Sequence, residues 1–104
     1  MSKADDDTLR ETIATMLASG LETQTEPFPE DHRQFEAILQ QLRQHPSEDL
    51  EYKLVLSGFL DHPYGEDKQR CLECMYYLVH RRWCDLPELA VPVEPEWWCR
   101  LWRI

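Results

Sequence analysis

Between Cys71 and Trp102 the chain carries all four of its cysteines and all four of its tryptophans, with three prolines and no glycine. A stretch of this composition has two ways to be stable. Thiols and indoles can pack together as a buried core, or the thiols can converge on a metal. Both require the tail beyond Cys84 to fold back, bringing Cys99 near Cys71 and Cys74. Whether the tail can do so depends on what precedes it.

At 104 residues the chain is a single domain, read as an acidic helical leader (1–65) followed by a Cys/Trp-rich unit (66–104). The net charge of −9 is carried by the leader. Residues 1–66 hold fourteen Asp or Glu against five Lys or Arg, whereas residues 67–104 hold six of each. A surface of that sign repels phosphate backbones and anionic lipid, so direct nucleic-acid and membrane binding are not expected. The polar start MSKADDD is not a signal peptide, and no apolar run is long enough to span a bilayer. A cytoplasmic location follows as an expectation, and with it cysteines that ligate metal or are simply buried rather than disulfide-bonded.

The periodicity predicts an all-α fold: a compact bundle of about four helices with an extended Pro/Trp-rich tail packed back on it. Thr8 and Glu11 suggest a capping box for a first helix, with Leu9, Ile13, Met16 and Leu17 on one face and Gly20 as its stop. Pro29 to Asp31 opens a second helix striped by Phe35, Ile38, Leu39 and Leu42, which ends at His45-Pro46. Ser47 would cap a third, containing Gly58. A fourth helix is predicted over 66–83, with Leu72, Tyr76, Val79 and Trp83 on one face and Cys71, Cys74, Met75 and Leu78 on the next. After Cys84 the prolines at 87, 92 and 95 forbid regular helix. No alternating run or hairpin dipeptide predicts a strand.

The cysteine spacing is Cys-x2-Cys-x9-Cys-x14-Cys. Four thiolates close a zinc site or hold an iron–sulfur cluster, and Cys71, Cys74, Cys84 and Cys99 are the candidate ligands. An unbroken helix from Cys74 to Cys84 would hold those two roughly 15 Å apart, so chelation requires the chain to turn before Trp83. A redox pair at Cys71 and Cys74 would need a βαβ setting that the sequence does not supply.

The segment resembles the cluster-binding half of high-potential iron–sulfur proteins. The residues carrying the resemblance are Cys71, Cys74 and Tyr76, then Cys84, Leu86 and Pro87, then Trp98, Cys99 and Trp102. It implies a [4Fe–4S] cluster on the four cysteines, wrapped in aromatics, with an electron-transfer or structural role. Burial of the cysteines as small apolar groups in a tryptophan-rich core stays open beside it.

No nucleophile–base motif occurs, and three glycines offer no phosphate cradle, so the chain is not expected to be an enzyme. His32, His45, His62 and His80 are scattered. The basic and aromatic residues Arg81, Arg82, Trp83, Arg100, Trp102 and Arg103 are expected to make cation–π contacts within the protein. The lopsided charge predicts an interaction module (an adaptor, accessory subunit or inhibitor) that docks on a basic surface of a larger protein. Asp31, Glu36, Glu48, Asp49 and Glu51 are its candidate contacts. The alternative is an accessory or electron-transfer protein that binds iron–sulfur or zinc through its four cysteines.

Overall fold

A computed structural model describes residues 3–46 and 48–104. Its elements run α1 (Lys3–Ala18), α2 (His32–Arg43), α3 (Leu50–Ser57), a single 3-10 turn (Cys71–Glu73), and strands β1 (Tyr77–Leu78), β2 (Trp83–Cys84) and β3 (Val91–Pro92). The fold is therefore mixed: three helices and a small antiparallel sheet in the order β1-β2-β3 replace the predicted four-helix all-α bundle.

The helices follow local chemistry. α1 begins earlier than Thr8, with Asp5 and Asp6 in its first turn, and buries Ile13 completely. The Asp31 side chain accepts the Gln34 N–H and so caps α2, whose buried face is Phe35, Ile38, Leu39 and Leu42. Each of those side chains contributes about 1.5–3 kcal/mol by leaving water. Asp49 caps α3 through the Tyr52 N–H; the predicted Ser47 cap lies outside the described residues. Gly58 does not sit inside that helix but ends it in the left-handed conformation, at φ 67°.

The predicted helix over 66–83 does not form. The chain makes its 3-10 turn at Cys71–Glu73, passes through β1, reverses at 79–82 and returns as β2, which pairs Tyr77 with Cys84 and Leu78 with Trp83. The reversal is closed by the Arg81 and Arg82 N–H groups, both donating to the Leu78 carbonyl, with Arg82 at φ 53°. Half of the apolar set assigned to helix faces is instead exposed: Leu72, Met75, Leu78 and Val79. A second reversal through Leu86–Ala90 leads to β3, which pairs with β2 across Cys84 and Val91.

The tail lies back across the molecule. Leu60 and Trp98 exchange both main-chain hydrogen bonds, at 2.7 and 3.0 Å. Trp98 is fully buried, stacked 4.0 Å from the Tyr64 ring, and its indole N–H reaches the Gln69 side chain at 3.1 Å. α1 lies against β3, held by Arg10, which donates to the carbonyls of Val93, Arg81 and Arg82. Among the described residues no helix is long and apolar enough to cross a membrane.

Candidate functional site

All four cysteines line one small apolar cavity, of about 20 Å³. Its other walls are Phe59, Tyr76, Tyr77, Val93 and Trp102. The thiols arrive from three different local structures. Cys71 opens the 3-10 turn and Cys74 closes it, the Cys74 N–H donating to the Cys71 carbonyl at 2.9 Å. Cys84 comes from β2, brought alongside Tyr77 by the hairpin. Cys99 comes from the returning tail, two residues after Trp97, whose carbonyl accepts the Cys71 N–H at 2.7 Å. The hairpin thus removes the separation that a continuous helix would have imposed between Cys74 and Cys84.

The four sulfurs act on one another. Cys71 is felt by Cys99, and Cys74 and Cys84 by both of these. Burial pushes the Cys71 and Cys99 thiols well above their ordinary range, and pushes Cys84 up to about 12, so none of the three ionises at neutral pH. Working the other way, the backbone at Leu86 and at Leu101 lowers the Cys84 and Cys99 pKa values, less than burial raises them. The pocket is therefore apolar, with Cys71 and Cys99 buried and Cys74 and Cys84 half-buried.

Zinc on these residues is not supported. One zinc ion would draw four thiolates to about 2.3 Å from a single point, hence under about 4 Å from each other. Among the described residues no group of three or more His, Cys, Asp or Glu is gathered closely enough to hold one ion. The four cysteines line one pocket, and a polynuclear group takes a separate iron on each of four thiolates. The donor set is also right, being four sulfurs with no carboxylate or imidazole in the wall.

The five acids predicted to contact a partner are placed differently. Asp31 and Asp49 spend their carboxylates capping α2 and α3, and Asp49 also pairs with His45 at 2.8 Å. Glu36 pairs with Arg43 at 3.0 Å. Glu48 and Glu51 are exposed at the start of α3. The cation–π expectation divides the basic residues: Arg81 lies 3.6 Å over Trp83 and Arg103 4.4 Å over Phe35, but Arg100 is buried against carbonyl groups. Phe59, Tyr77 and Val93 were not singled out from the sequence as cavity walls. The doublet Tyr76-Tyr77, two large rings on adjacent residues, was the signal that both sides of this segment meet protein.

Comparison with protein-family models, curated proteins and solved structures finds no significant match.

Proposed function

We propose that this protein holds a [4Fe–4S] cluster on Cys71, Cys74, Cys84 and Cys99 and serves as a small, non-enzymatic electron carrier or redox accessory. The observation that carries the reading is the convergence of four thiols, from a turn, a strand and a returning tail, on one small apolar pocket. When bound, the cluster supplies a one-electron couple. The protein's own residues do the remainder. The four cysteines would ligate, and the backbone at Leu86 and Leu101 offsets part of the burial penalty on two of the thiolates. Phe59, Tyr76, Tyr77, Val93 and Trp102 exclude water from the anionic centre. Exclusion of water penalises any growth of charge there, favouring the couple with the smaller total charge.

The docking of acidic residues on a basic partner has weaker support, since at least three of its five candidates already serve within the chain. It fits the same reading as the means by which a carrier would meet a basic partner.

The deciding experiment is anaerobic incubation of the metal-free protein with ferrous iron and sulfide, followed by iron and sulfide analysis and absorption spectroscopy. The expected result is a brown protein with iron and sulfide in equal amounts, four of each per chain. Replacement of Cys84 or Cys99 by Ser should lower that content. A colourless, helical product in which iron does not accumulate would overturn the proposal.

A further inference from the structure

A second cleft, of about 330 Å³, lies between segment 24–29 and α2 and shares no residue with the cysteine cavity. Its α2 wall is a stripe of Gln34, Ala37, Ile38 and Gln41, the i, i+3, i+4, i+7 spacing of one helix face. Phe28 and Leu56 add carbon to the wall. Among the described residues, Arg100 is its one charged side chain. Glu26, Glu30, Asp31 and Glu36 are interleaved in sequence with the lining residues, yet none of them lines the cleft.

Arg100 is only 4 % exposed. Its Nε donates to the Leu56 carbonyl at 2.9 Å, Nη1 to the Pro27 carbonyl at 3.1 Å, and Nη2 to the Gln24 side-chain oxygen at 3.4 Å. All three acceptors are neutral, and they take three of the five N–H groups that a guanidinium carries. Among the described residues no carboxylate forms an ion pair with it, whereas Arg10, equally buried at 5 % exposed, has Asp7 at 2.7 Å. A guanidinium keeps its charge when desolvated, and a buried cation without a counter-ion is costly. The two remaining N–H groups, one on each terminal nitrogen, are the kind of pair that a forked contact with one carboxylate uses. One cation calls for one negative charge, and a wall of carbon and neutral amides suits an organic body better than a strongly hydrated oxyanion.

We propose that this cleft binds a small organic monocarboxylate, its anionic end seated on Arg100 and its apolar body against Phe28, Ile38 and Leu56. The site stands apart from the cluster reading and does not depend on it.

The test is titration of the metal-free full chain with hexanoate, followed through the side-chain N–H resonances of Arg100, Gln24, Gln34 and Gln41. Hexanoate should shift these signals saturably. Hexanamide, the same chain without the charge, should bind at least about tenfold more weakly. Three isosteric variants at exposed positions each add one negative charge and leave Arg100 in place. Gln24→Glu sets a carboxylate against Nη2; it should cut hexanoate affinity about tenfold while making the fold more resistant to urea. Gln41→Glu charges the α2 wall and should cut the affinity several-fold. Gln40→Glu, on α2 but outside the cleft, should change it by less than about twofold. A merely structural arginine gives no saturable shift in the wild type, and that result overturns the proposal. Equal binding of hexanamide, tighter binding of inorganic phosphate, or equal losses in Gln40→Glu and Gln24→Glu overturn it as well.

Discussion

Trp102 donates its indole N–H to the Arg70 carbonyl oxygen at 2.7 Å, so a wall of the cysteine cavity is tied to the residue just ahead of Cys71. The main chain is joined at the same place, where Cys71 donates to Trp97, Leu72 to Pro95 and Met75 to Arg103. The tail is thus a third side of the site, and its indole both shields the cavity and fixes the geometry of the Cys71–Cys74 turn.

Two substitutions separate those tasks. Trp102→Phe keeps an aromatic wall but leaves the Arg70 carbonyl without its donor, at a cost of about 1 kcal/mol. Trp102→Ala removes the wall as well and should cost about 3 kcal/mol in urea unfolding. In the reconstituted protein, loss of visible absorbance in air should be several-fold faster for Trp102→Ala and close to wild type for Trp102→Phe. Equal lifetimes for the two would show that the indole does not keep water and oxygen out.

The metal-free protein should be labile in alkali. Cys71, Cys84 and Cys99 all have pKa values raised by burial, Cys84 to about 12. In the unfolded chain a thiol ionises near pH 8.5. Above that pH the unfolded state has released protons that the folded state still holds. Stability therefore falls as pH rises, by up to about 1.4 kcal/mol per pH unit for each thiol, until the folded pKa is reached. Urea midpoints measured between pH 7 and 10 should fall steeply for the metal-free protein. A triple Cys→Ser variant at 71, 84 and 99 should be nearly flat over that range.

Acid acts on a different contact. Asp6 is buried on α1 and receives two hydrogen bonds from Arg81, at 2.7 and 3.1 Å, which hold its carboxyl below the ordinary range. A depressed carboxylate stabilises the fold fully above the unfolded pKa of about 3.9, and its contribution disappears as pH falls through the lower, folded value. Asp6→Asn lowers stability at pH 7, and the gap from wild type should close between about pH 4 and pH 2. A gap that stays constant over that interval would mean that the ion pair contributes nothing. Since Arg81 is 40 % exposed at its side chain, 1 M salt should narrow the gap too.

The helices could be read from sequence because their signals are local. Asp31 caps α2, and the spacing of Phe35, Ile38, Leu39 and Leu42 marks its buried face. The sheet could not, because each strand is two residues long and alternation has no length in which to show. Nor does glycine or proline mark the reversal at 79–82; Arg82 takes the positive φ that a glycine would have announced. Tyr76, Tyr77, Leu78 and Val79 are consecutive apolar residues, a pattern that serves a two-faced helix and a short hairpin equally. The four ligand candidates were legible as residue types. The return of Cys99 toward Cys71 and Cys74 was expected as well, but the approach of Cys84 was not legible, since it depends on that unmarked turn. Arg100 was legible only as one of several basic residues near tryptophan, since its missing counter-ion is a fact of three dimensions.

Gly58 offers the sharpest test of how the strap at 24–29 is seated behind the site. It ends α3 at φ 67°, and a Cβ there would run into the Gln24 carbonyl, with the Thr25 Cα at 2.9 Å. Both obstacles are backbone, held by the Gln24 N–H donating to the Val55 carbonyl at 2.8 Å, so neither can swing aside. Gly20 also has positive φ, 95°, but nothing lies within 4 Å of its would-be Cβ. Gly20→Ala therefore carries only the conformational cost, about 1–2 kcal/mol. Gly58→Ala carries that cost and must also displace the strap, adding about 1–3 kcal/mol of overpacking. Displacement moves Gln24 and Pro27, two of the three acceptors of Arg100. In urea unfolding Gly58→Ala should be the less stable of the two alanine variants. Equal losses would mean that the strap shifts freely.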